Sequence, residues 1–309
     1  MHIDPELAVF LETPFPNNFD DLAWSRAEQR RMAEAHPAPP STTVHWDDRS
    51  IGTSAAGADL TVRVYRPATA EGILPAVFFV HGGAFVFGDL ESEHARCLRY
   101  CADAACVVVS VDYSLAPEHR FPASLHDVTT AYEWMLGEAS SLGIDPDRVA
   151  VAGVSAGGAI AAGLVLQLRD RGAHVPRAQL LVYPVTDSAT DTKSTREFFH
   201  AEPFDGDRAQ RMWSLYVEDL TSVSPYASVA RASDLSGLPP TYIVTADLDP
   251  LRDEGLNFAR ALIDAGTTVE LHHFPRTYHG FDAVAPDARV SRRALEEQCL
   301  FLRHELAAS

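Results

Sequence analysis

The stretch VAVAGVSAGGAIAAG, residues 149–163, decides the fold that this sequence predicts. A short apolar run rich in β-branched residues leads to a serine, and almost all the residues that follow are small. This pattern predicts a strand that turns sharply into a helix at Ser155. Gly153 and Gly157 then occupy positions where larger side chains would clash. A serine on such a turn is typical of a nucleophile, and a flexible Gly/Ser loop is the alternative.

Short β-rich runs alternate with helical patterns along the rest of the chain. The runs are TVHWDDRSI, DLTVRVYRP, PAVFFVHGG, CVVVSVDYS, RVAVAGVS, AQLLVYPV, PTYIVTADLD and TVELHHFPR. Helical candidates fill the intervals between the later runs, which predicts right-handed crossovers and one doubly wound sheet. We therefore expect an α/β protein with a central, mostly parallel, eight-stranded sheet flanked by helices, formed by residues 43–186 and 223–309.

Residues 1–42 and 187–222 do not follow this alternation. The second segment begins polar, with DSATDTKSTREFFH, and ends amphipathic, with DRAQRMWSLYV. We assign the two segments jointly to a helical cap, and two unrelated surface elaborations are the alternative.

Composition and charge limit the partners of this chain. It has 309 residues and a formal net charge of −18, which repels nucleic acid and anionic lipid. No secretory leader and no run of about eighteen apolar residues is apparent, which favours a soluble cytoplasmic protein without stable membrane association. Cys97, Cys101, Cys106 and Cys299 match neither a CxxC pair nor a zinc pattern. We expect buried, reduced thiols, no metal and no cofactor.

Catalysis by a serine requires donors that stabilise the oxyanion formed in the reaction. The run FFVHGGAF ends an earlier predicted strand and places Gly82 and Gly83 in the turn that follows. Their N–H groups, together with that of Ala156 at the start of the predicted helix, can surround such an oxyanion. A plain Gly-Gly turn after a strand is the alternative.

The serine also needs a base and an acid that orients it, in the chain order serine, acid, histidine. Three aspartates lie at the end of PTYIVTADLD or just after it, namely Asp247, Asp249 and Asp253. We choose Asp249, which lies at the turn after the strand; Asp247 is the next candidate, and Asp253 is expected to face solvent on the following helix. His279 in TYHGFD is the predicted base, because His272 and His273 lie within a strand and point to opposite faces.

Several motifs together resemble the hormone-sensitive lipase family, the bacterial family IV esterases of the α/β-hydrolase fold. They are HGGAF, VDYSLAPEHRFPA, GVSAGG, LLVYPVTD, SGLPP, DPLRDEG and YHGF. They occur in the family's order over roughly residues 60 to 285, and together they are far more specific than any one of them. At the turn that carries the nucleophile, the family usually has Asp or Thr before the serine, whereas this chain has Val154. This difference bears on local hydrogen bonding and substrate preference.

The resemblance carries specific roles to this chain. It implies Ser155 as nucleophile, Asp249 as acid and His279 as base, with the oxyanion donors named above. It also implies a helical cap, hydrolysis of short to medium acyl esters without a cofactor, and a homodimer formed through the final strand and the C-terminal helix.

Four aromatic residues are candidates for an acyl pocket. They are Phe85, Phe199, Phe204 and Trp213. Ordinary packing between cap and sheet is the alternative. Two other functions are consistent with the motifs: another acyl transfer, by a peptidase or an acyltransferase, and ligand binding without catalysis, as in the plant gibberellin receptors, which have lost the catalytic histidine. The presence of His279 favours an enzyme that acts on small-molecule esters.

Overall fold

One central sheet organises the computed structural model, which describes residues 2–12, 16–35, 37 and 41–308. The strands are β1 (Val44–Thr53), β2 (Asp59–Pro67), β3 (Leu74–Val80), β4 (Val107–Asp112), β5 (Ile144–Val154), β6 (Ala178–Val182), β7 (Thr241–Leu248) and β8 (Val269–Tyr278). Their order in the sheet is β1-β2-β4-β3-β5-β6-β7-β8. The pairs β1–β2 and β2–β4 are antiparallel, and every other pair is parallel. The predicted mostly parallel, eight-stranded sheet is confirmed.

Helices connect and flank these strands. They are α1 (Pro5–Ala8), α2 (Leu22–Ala35), α3 (His94–Asp103), α4 (Ala123–Gly137), α5 (Ala139–Leu142), α6 (Ala156–Asp170), α7 (Lys193–Glu197), α8 (Gly206–Tyr216), α9 (Arg252–Asp264), α10 (Phe281–Val284) and α11 (Arg289–Glu305). The sequence predicted a single helical pattern over residues 125–143. The chain instead breaks at Glu138, whose backbone leaves helical geometry, and Gly143 ends the second helix with a φ of 63°.

The core lies on both faces of the sheet, because its inner strands are buried from both sides. Side chains of β3 alternate between the faces: Phe78 meets Tyr132 of α4, and Phe79 meets Tyr100 of α3. Helices α4, α6 and α9 cover one face, and α3 and α11 cover the other. The loops that follow parallel strands come together at one edge of such a sheet, where ligands bind in open α/β folds.

The segments that interrupt the alternation contact each other above this edge. Asn17 donates a hydrogen bond from Nδ2 to the carbonyl of Pro203, at 3.0 Å. Arg211 of α8 pairs with Asp20, just before α2, at 2.5 Å. These contacts join residues of the N-terminal segment to the segment between β6 and β7. The division of the chain into a hydrolase unit and a helical cap stays a prediction.

Candidate active site

The turn between β5 and α6 holds Ser155 in an unusual backbone conformation. Its φ is 54° and its ψ is −120°, which non-glycine residues rarely adopt. A Cβ at Gly153 would lie 2.3 Å from the carbonyl oxygen of Gly157, and a Cβ at Gly157 would lie 2.2 Å from that of His81. Both glycines are therefore required by close backbone contacts. The turn presents the serine hydroxyl at the edge of the sheet where the loops meet.

Ser155 lies at one end of a hydrogen-bonded chain of three side chains. Its Oγ is 2.9 Å from Nε2 of His279, and Nδ1 of the same imidazole is 2.8 Å from Oδ2 of Asp249. Asp249 is fully buried after β7, and its Oδ1 accepts the N–H of Leu251 at 2.8 Å. When Nδ1 of His279 donates to this carboxyl group, Nε2 is free to accept a proton from the serine.

The other two aspartates make different contacts. Asp247 accepts the backbone N–H of Arg276 on β8 at 3.0 Å, which ties the two last strands together. Asp253 does not face solvent as the sequence predicted. It is half-buried and accepts the N–H of Ser194 at 2.8 Å, because α7 packs on the start of α9. Burial alone would raise the pKa of Asp253, but the hydrogen bonds from Arg252 and Ser194 and the charge of Arg252 outweigh it and lower the pKa.

The loop after β3 places backbone N–H groups beside the serine. A Cβ at Gly82 would lie 3.6 Å from Cβ of Ser155. Gly83 has a φ of 121°, and a Cβ there would lie 2.2 Å from the carbonyl oxygen of Phe87, so only glycine fits. Within the described part of the chain, the N–H groups of Gly82, Gly83 and Ala156 donate to no protein acceptor. Free donors beside a nucleophile are what an oxyanion hole requires.

A buried histidine supports this loop, and the sequence reading passed over it. Nδ1 of His81 lies 2.7 Å from the carbonyl oxygen of Gly82, while its ring stacks on Tyr113. Complete burial lowers the pKa of His81, so the imidazole is neutral and donates to that carbonyl. His81 lies in the motif HGGAF and Tyr113 in VDYS. Both motifs contributed to the family resemblance, but the sequence analysis gave these two side chains no role.

A cavity of about 790 Å³ opens onto Ser155 and His279. Apolar and aromatic side chains of its lining include Phe10, Phe19, Phe87, Leu115, Val154 and Phe204. Of the four aromatic candidates named from the sequence, only Phe204 belongs to this lining, and its ring lies 4.9 Å from that of His279.

The other three aromatic candidates lie in packing contacts next to the cavity. Phe85 stacks on Tyr216 of α8 with ring centroids 3.7 Å apart, and Trp213 packs on the same pair. Phe199 packs where α8 begins, since a Cβ at Gly206 would lie 2.9 Å from its ring. Sequence reasoning missed Phe10 and Phe19 because they precede α2 in irregular or short elements that carry no periodic signal.

A buried carboxyl group lies behind the acid. Oε1 of Glu254 accepts the N–H of Thr186 at 2.6 Å and that of Asp187 at 3.3 Å. Burial raises the pKa of Glu254, the two hydrogen bonds lower it in part, and the charges of Asp187 and Asp249 raise it again, so that the pKa is about 8. Glu254 therefore stays protonated at neutral pH.

The described ranges offer neither a metal-binding cluster nor a membrane-spanning helix. No group of three or more His, Cys, Asp or Glu side chains there is placed to hold a metal ion. No helix in those ranges is both long enough and apolar enough to span a bilayer. The four cysteines are buried and unpaired.

Comparisons with known proteins agree with this geometry. A family model described as α/β hydrolase fold matches residues 77–283. Carboxylesterase NlhH of Mycobacterium tuberculosis is 37% identical over 286 residues, which cover 90% of this chain and 88% of that protein. Carboxylic ester hydrolase LipN of the same species is 38% identical over 293 residues, covering 90% and 77%. Among solved structures, a bacterial heroin esterase has a TM-score of 0.94 at 37% identity, with 99% of each chain covered. Esterase LipW of Mycobacterium marinum has a TM-score of 0.92 at 38% identity, covering 99% and 97%.

Proposed function

This chain belongs to the α/β-hydrolase family, and from that premise we propose that it is a serine carboxylesterase whose nucleophile is Ser155. One observation carries the proposal: the chain of hydrogen bonds from Asp249 through His279 to Ser155, at 2.8 and 2.9 Å. The carboxylesterases among its relatives support ester hydrolysis over other chemistry. Its substrates are small esters.

The reaction begins when Oγ of Ser155 attacks the ester carbonyl carbon. His279 takes the hydroxyl proton on Nε2, and Asp249 stabilises the imidazolium that forms. The negative charge that develops on the carbonyl oxygen is stabilised by hydrogen bonds from the N–H groups of Gly82, Gly83 and Ala156. When the tetrahedral intermediate collapses, the carbon–oxygen bond to the alcohol breaks and His279 gives its proton to the departing alcohol.

Water completes the cycle. His279 takes a proton from water as the oxygen attacks the acyl-enzyme, and the same N–H groups stabilise the second intermediate. Its collapse breaks the bond to Oγ of Ser155, which regains the proton from His279. The products are the free acid and the unmodified serine.

Short to medium acyl esters are the substrates we propose. The cavity of about 790 Å³ has an apolar, aromatic lining, which suits an acyl chain and a bulky alcohol. Each methylene that fits adds up to about 0.8 kcal/mol of binding. We therefore expect kcat/KM to rise with chain length until the pocket ends and then to fall.

Two alternative functions share this fold. Peptidases and acyltransferases use the same three side chains, because the pocket selects the leaving group and the acceptor. A ligand-binding protein needs no base, whereas His279 here lies within hydrogen-bond distance of Ser155. That distance supports an enzyme.

The proposal also covers the oligomeric state of the protein and its location in the cell. We propose a homodimer formed through β8 and α11, supported by the edge position of β8 and by the exposed side chains of Leu271 and Leu300. We also propose that the protein works in the cytoplasm, where its four buried, unpaired cysteines would stay reduced.

Hydrolysis of p-nitrophenyl esters from acetate to palmitate tests the function. We expect kcat/KM to peak between acetyl and hexanoyl esters. Ser155→Ala should lose about 10⁴-fold or more in kcat, and adding His279→Ala should reduce it little further. Ser141→Ala, at an exposed serine of α5, is the matched control and should retain full activity. Folded parent protein that turns over no ester contradicts the proposal, and a maximum at twelve carbons or longer contradicts the acyl preference.

A further inference from the structure

The geometry of the loop after β3 depends on a side chain from outside the sheet. We propose that Arg26 of α2 is a positioning residue that holds the oxyanion loop, residues 82–88, in its productive conformation. The proposal rests on the proposed esterase function and goes beyond it, because it gives the N-terminal helix a part in transition-state stabilisation and not only in covering the cavity.

The oxyanion loop contains a strained pair of residues. Ala84 and Phe85 have φ values of 52° and 63°, so two consecutive residues with side chains lie in the left-handed region. Such conformations persist only where the surrounding contacts hold them. The loop therefore needs partners outside itself to keep this shape.

Arg26 contacts the loop directly and through a second segment. Its Nε donates to the carbonyl of Val86 at 2.8 Å, and its Nη2 donates to the carbonyl of Ala116 at 2.7 Å. The N–H of Ala116 in turn donates to the carbonyl of Phe85 at 3.0 Å. One guanidinium thus holds the strained loop and the segment that pairs with it.

The guanidinium is itself fixed by a carboxylate. Nη1 and Nη2 of Arg26 bind the two carboxylate oxygens of Glu118, at 2.9 and 3.0 Å. The bond from Arg26 lowers the pKa of Glu118, so this carboxylate is ionised at neutral pH. Four of the five N–H donors of Arg26 are then used within the protein. Arg26 lies in the cavity wall, and most of its hydrogen-bonding capacity is used on the loop, on Ala116 and on Glu118.

Val86, which Arg26 holds, is linked by hydrogen bonds to Gly83, one of the proposed oxyanion donors. The N–H groups of Val86 and Phe87 both donate to the carbonyl of Gly83, at 3.0 and 2.7 Å. On the other side of Gly83, His81 donates to the carbonyl of Gly82, whose peptide unit contains the N–H of Gly83. Movement of Val86 therefore changes the turn that orients this N–H group.

Lysine cannot replace arginine in this position. An ammonium is a single donor centre on a flexible stem, whereas the planar guanidinium reaches two carbonyls and one carboxylate at once. Arg31, on the same helix, offers a matched control. It is exposed and pairs with Glu28 one turn earlier.

The experiment compares Arg26→Lys with Arg31→Lys in the full-length protein. For p-nitrophenyl butyrate, we expect kcat of Arg26→Lys to fall about 10- to 100-fold, less than the loss of an oxyanion donor itself, with KM nearly unchanged. Affinity for a trifluoromethyl ketone, which forms a tetrahedral adduct with the serine, should fall by a similar factor. Arg31→Lys should match the parent in all three measurements.

Two results would overturn the proposal. One is parental kcat and ketone affinity in Arg26→Lys, even if the melting temperature drops. The other is a raised KM with unchanged kcat, which would make Arg26 a substrate-binding residue. If Arg26→Lys does not fold, Glu118→Gln replaces it: freeing the guanidinium must lower kcat and ketone affinity together, and parental values there contradict the proposal. A parent without esterase activity would instead refute the proposed function.

Discussion

The carboxylates of the three aspartates near the end of β7 have different surroundings, although they lie within seven residues. Asp249 is fully buried against His279 and the N–H of Leu251. Asp247 is half-exposed, and Asp253 accepts a hydrogen bond from the N–H of Ser194 on α7. Only Asp249 is placed to fix the tautomer of the histidine and to stabilise its charged form.

We expect Asp249→Asn to lose about 10⁴-fold in kcat for a short acyl ester, because the amide favours the wrong tautomer of His279. Asp247→Asn and Asp253→Asn are isosteric controls that remove structural contacts only, and each should lose less than about tenfold. Steady-state kinetics on all three variants makes the comparison. A loss at Asp247 as large as that at Asp249 would transfer the role of the acid to Asp247.

At this scale, the sequence predicted positions that depend on the order of strands and loops. Ser155, Asp249 and His279 each follow a recognisable strand, so their meeting at one sheet edge could be predicted. The cavity lining could not. Whether Phe85 faces the cavity or α8 depends on its left-handed backbone, which no periodicity signals in a residue that is not glycine.

At the scale of elements, a buried network packs against His279, the proposed base. Arg96 of α3 pairs with Asp282 of α10 at 3.0 Å, and both side chains are almost inaccessible to solvent. The hydroxyl of Tyr183, after β6, donates to Asp282 at 2.7 Å, and its ring lies 4.7 Å from that of His279. Burial alone would raise the pKa of Asp282, but the charge of Arg96 and the hydrogen bonds outweigh it and lower the pKa.

We expect Asp282→Asn to reduce the free energy of unfolding by about 3–5 kcal/mol at pH 7, because Arg96 is left buried without its partner charge. Asp264→Asn is the control, since its exposed pair with Arg260 contributes at most about 1 kcal/mol. Urea titrations of the three proteins measure both effects.

The difference in free energy of unfolding between the parent and Asp282→Asn depends on pH because the pKa of Asp282 is lowered. The folded-state pKa of Asp282 lies below its unfolded value of 3.8, so the contribution is complete above that value and is lost as the pH falls through the folded pKa. The gap between the parent and Asp282→Asn should therefore narrow below about pH 4. A gap that widens on acidification, or that equals the gap for Asp264→Asn at pH 7, would contradict this account.

Secondary structure at the element scale was largely predictable, and tertiary contacts between elements were not. Every predicted strand is present, and the buried parallel strands are recognisable as short β-branched runs. The pairing of Arg96 with Asp282 joins residues 186 positions apart, and neither lies in a motif that marks a partner. The contact of Asp253 with α7 was missed for the same reason: it depends on how an irregular segment returns to the sheet.

The whole molecule presents β8 at one edge of its sheet. Within the described ranges β8 pairs with β7 alone, and Leu271 on this strand is 40% exposed. Leu300 on α11 is 57% exposed. The N–H of Asp4 donates to the carbonyl of Arg276 at 3.0 Å, so the N-terminal segment covers the end of this strand. The earlier part of the edge, beside apolar side chains, favours pairing with a second copy.

Light scattering across a wide concentration range should give a mass near twice 33.7 kDa for the parent. Leu271→Glu should shift this mass towards the monomer, because the interface would bury like charges from both copies. Ile73→Glu, at a more exposed apolar residue before β3, is the control and should leave the mass unchanged. A parent that is monomeric at every concentration refutes the dimer.

The left-handed backbone at Ser155 sets a direction for laboratory evolution. A non-glycine residue in such a conformation lowers the stability of the fold by about 1–3 kcal/mol, and glycine would avoid most of that cost. A library screened for heat resistance alone will therefore enrich Ser155→Gly, a variant that has lost the proposed nucleophile. Screens on this scaffold need a selection for turnover in every round, because the residue in this strained conformation is the proposed nucleophile.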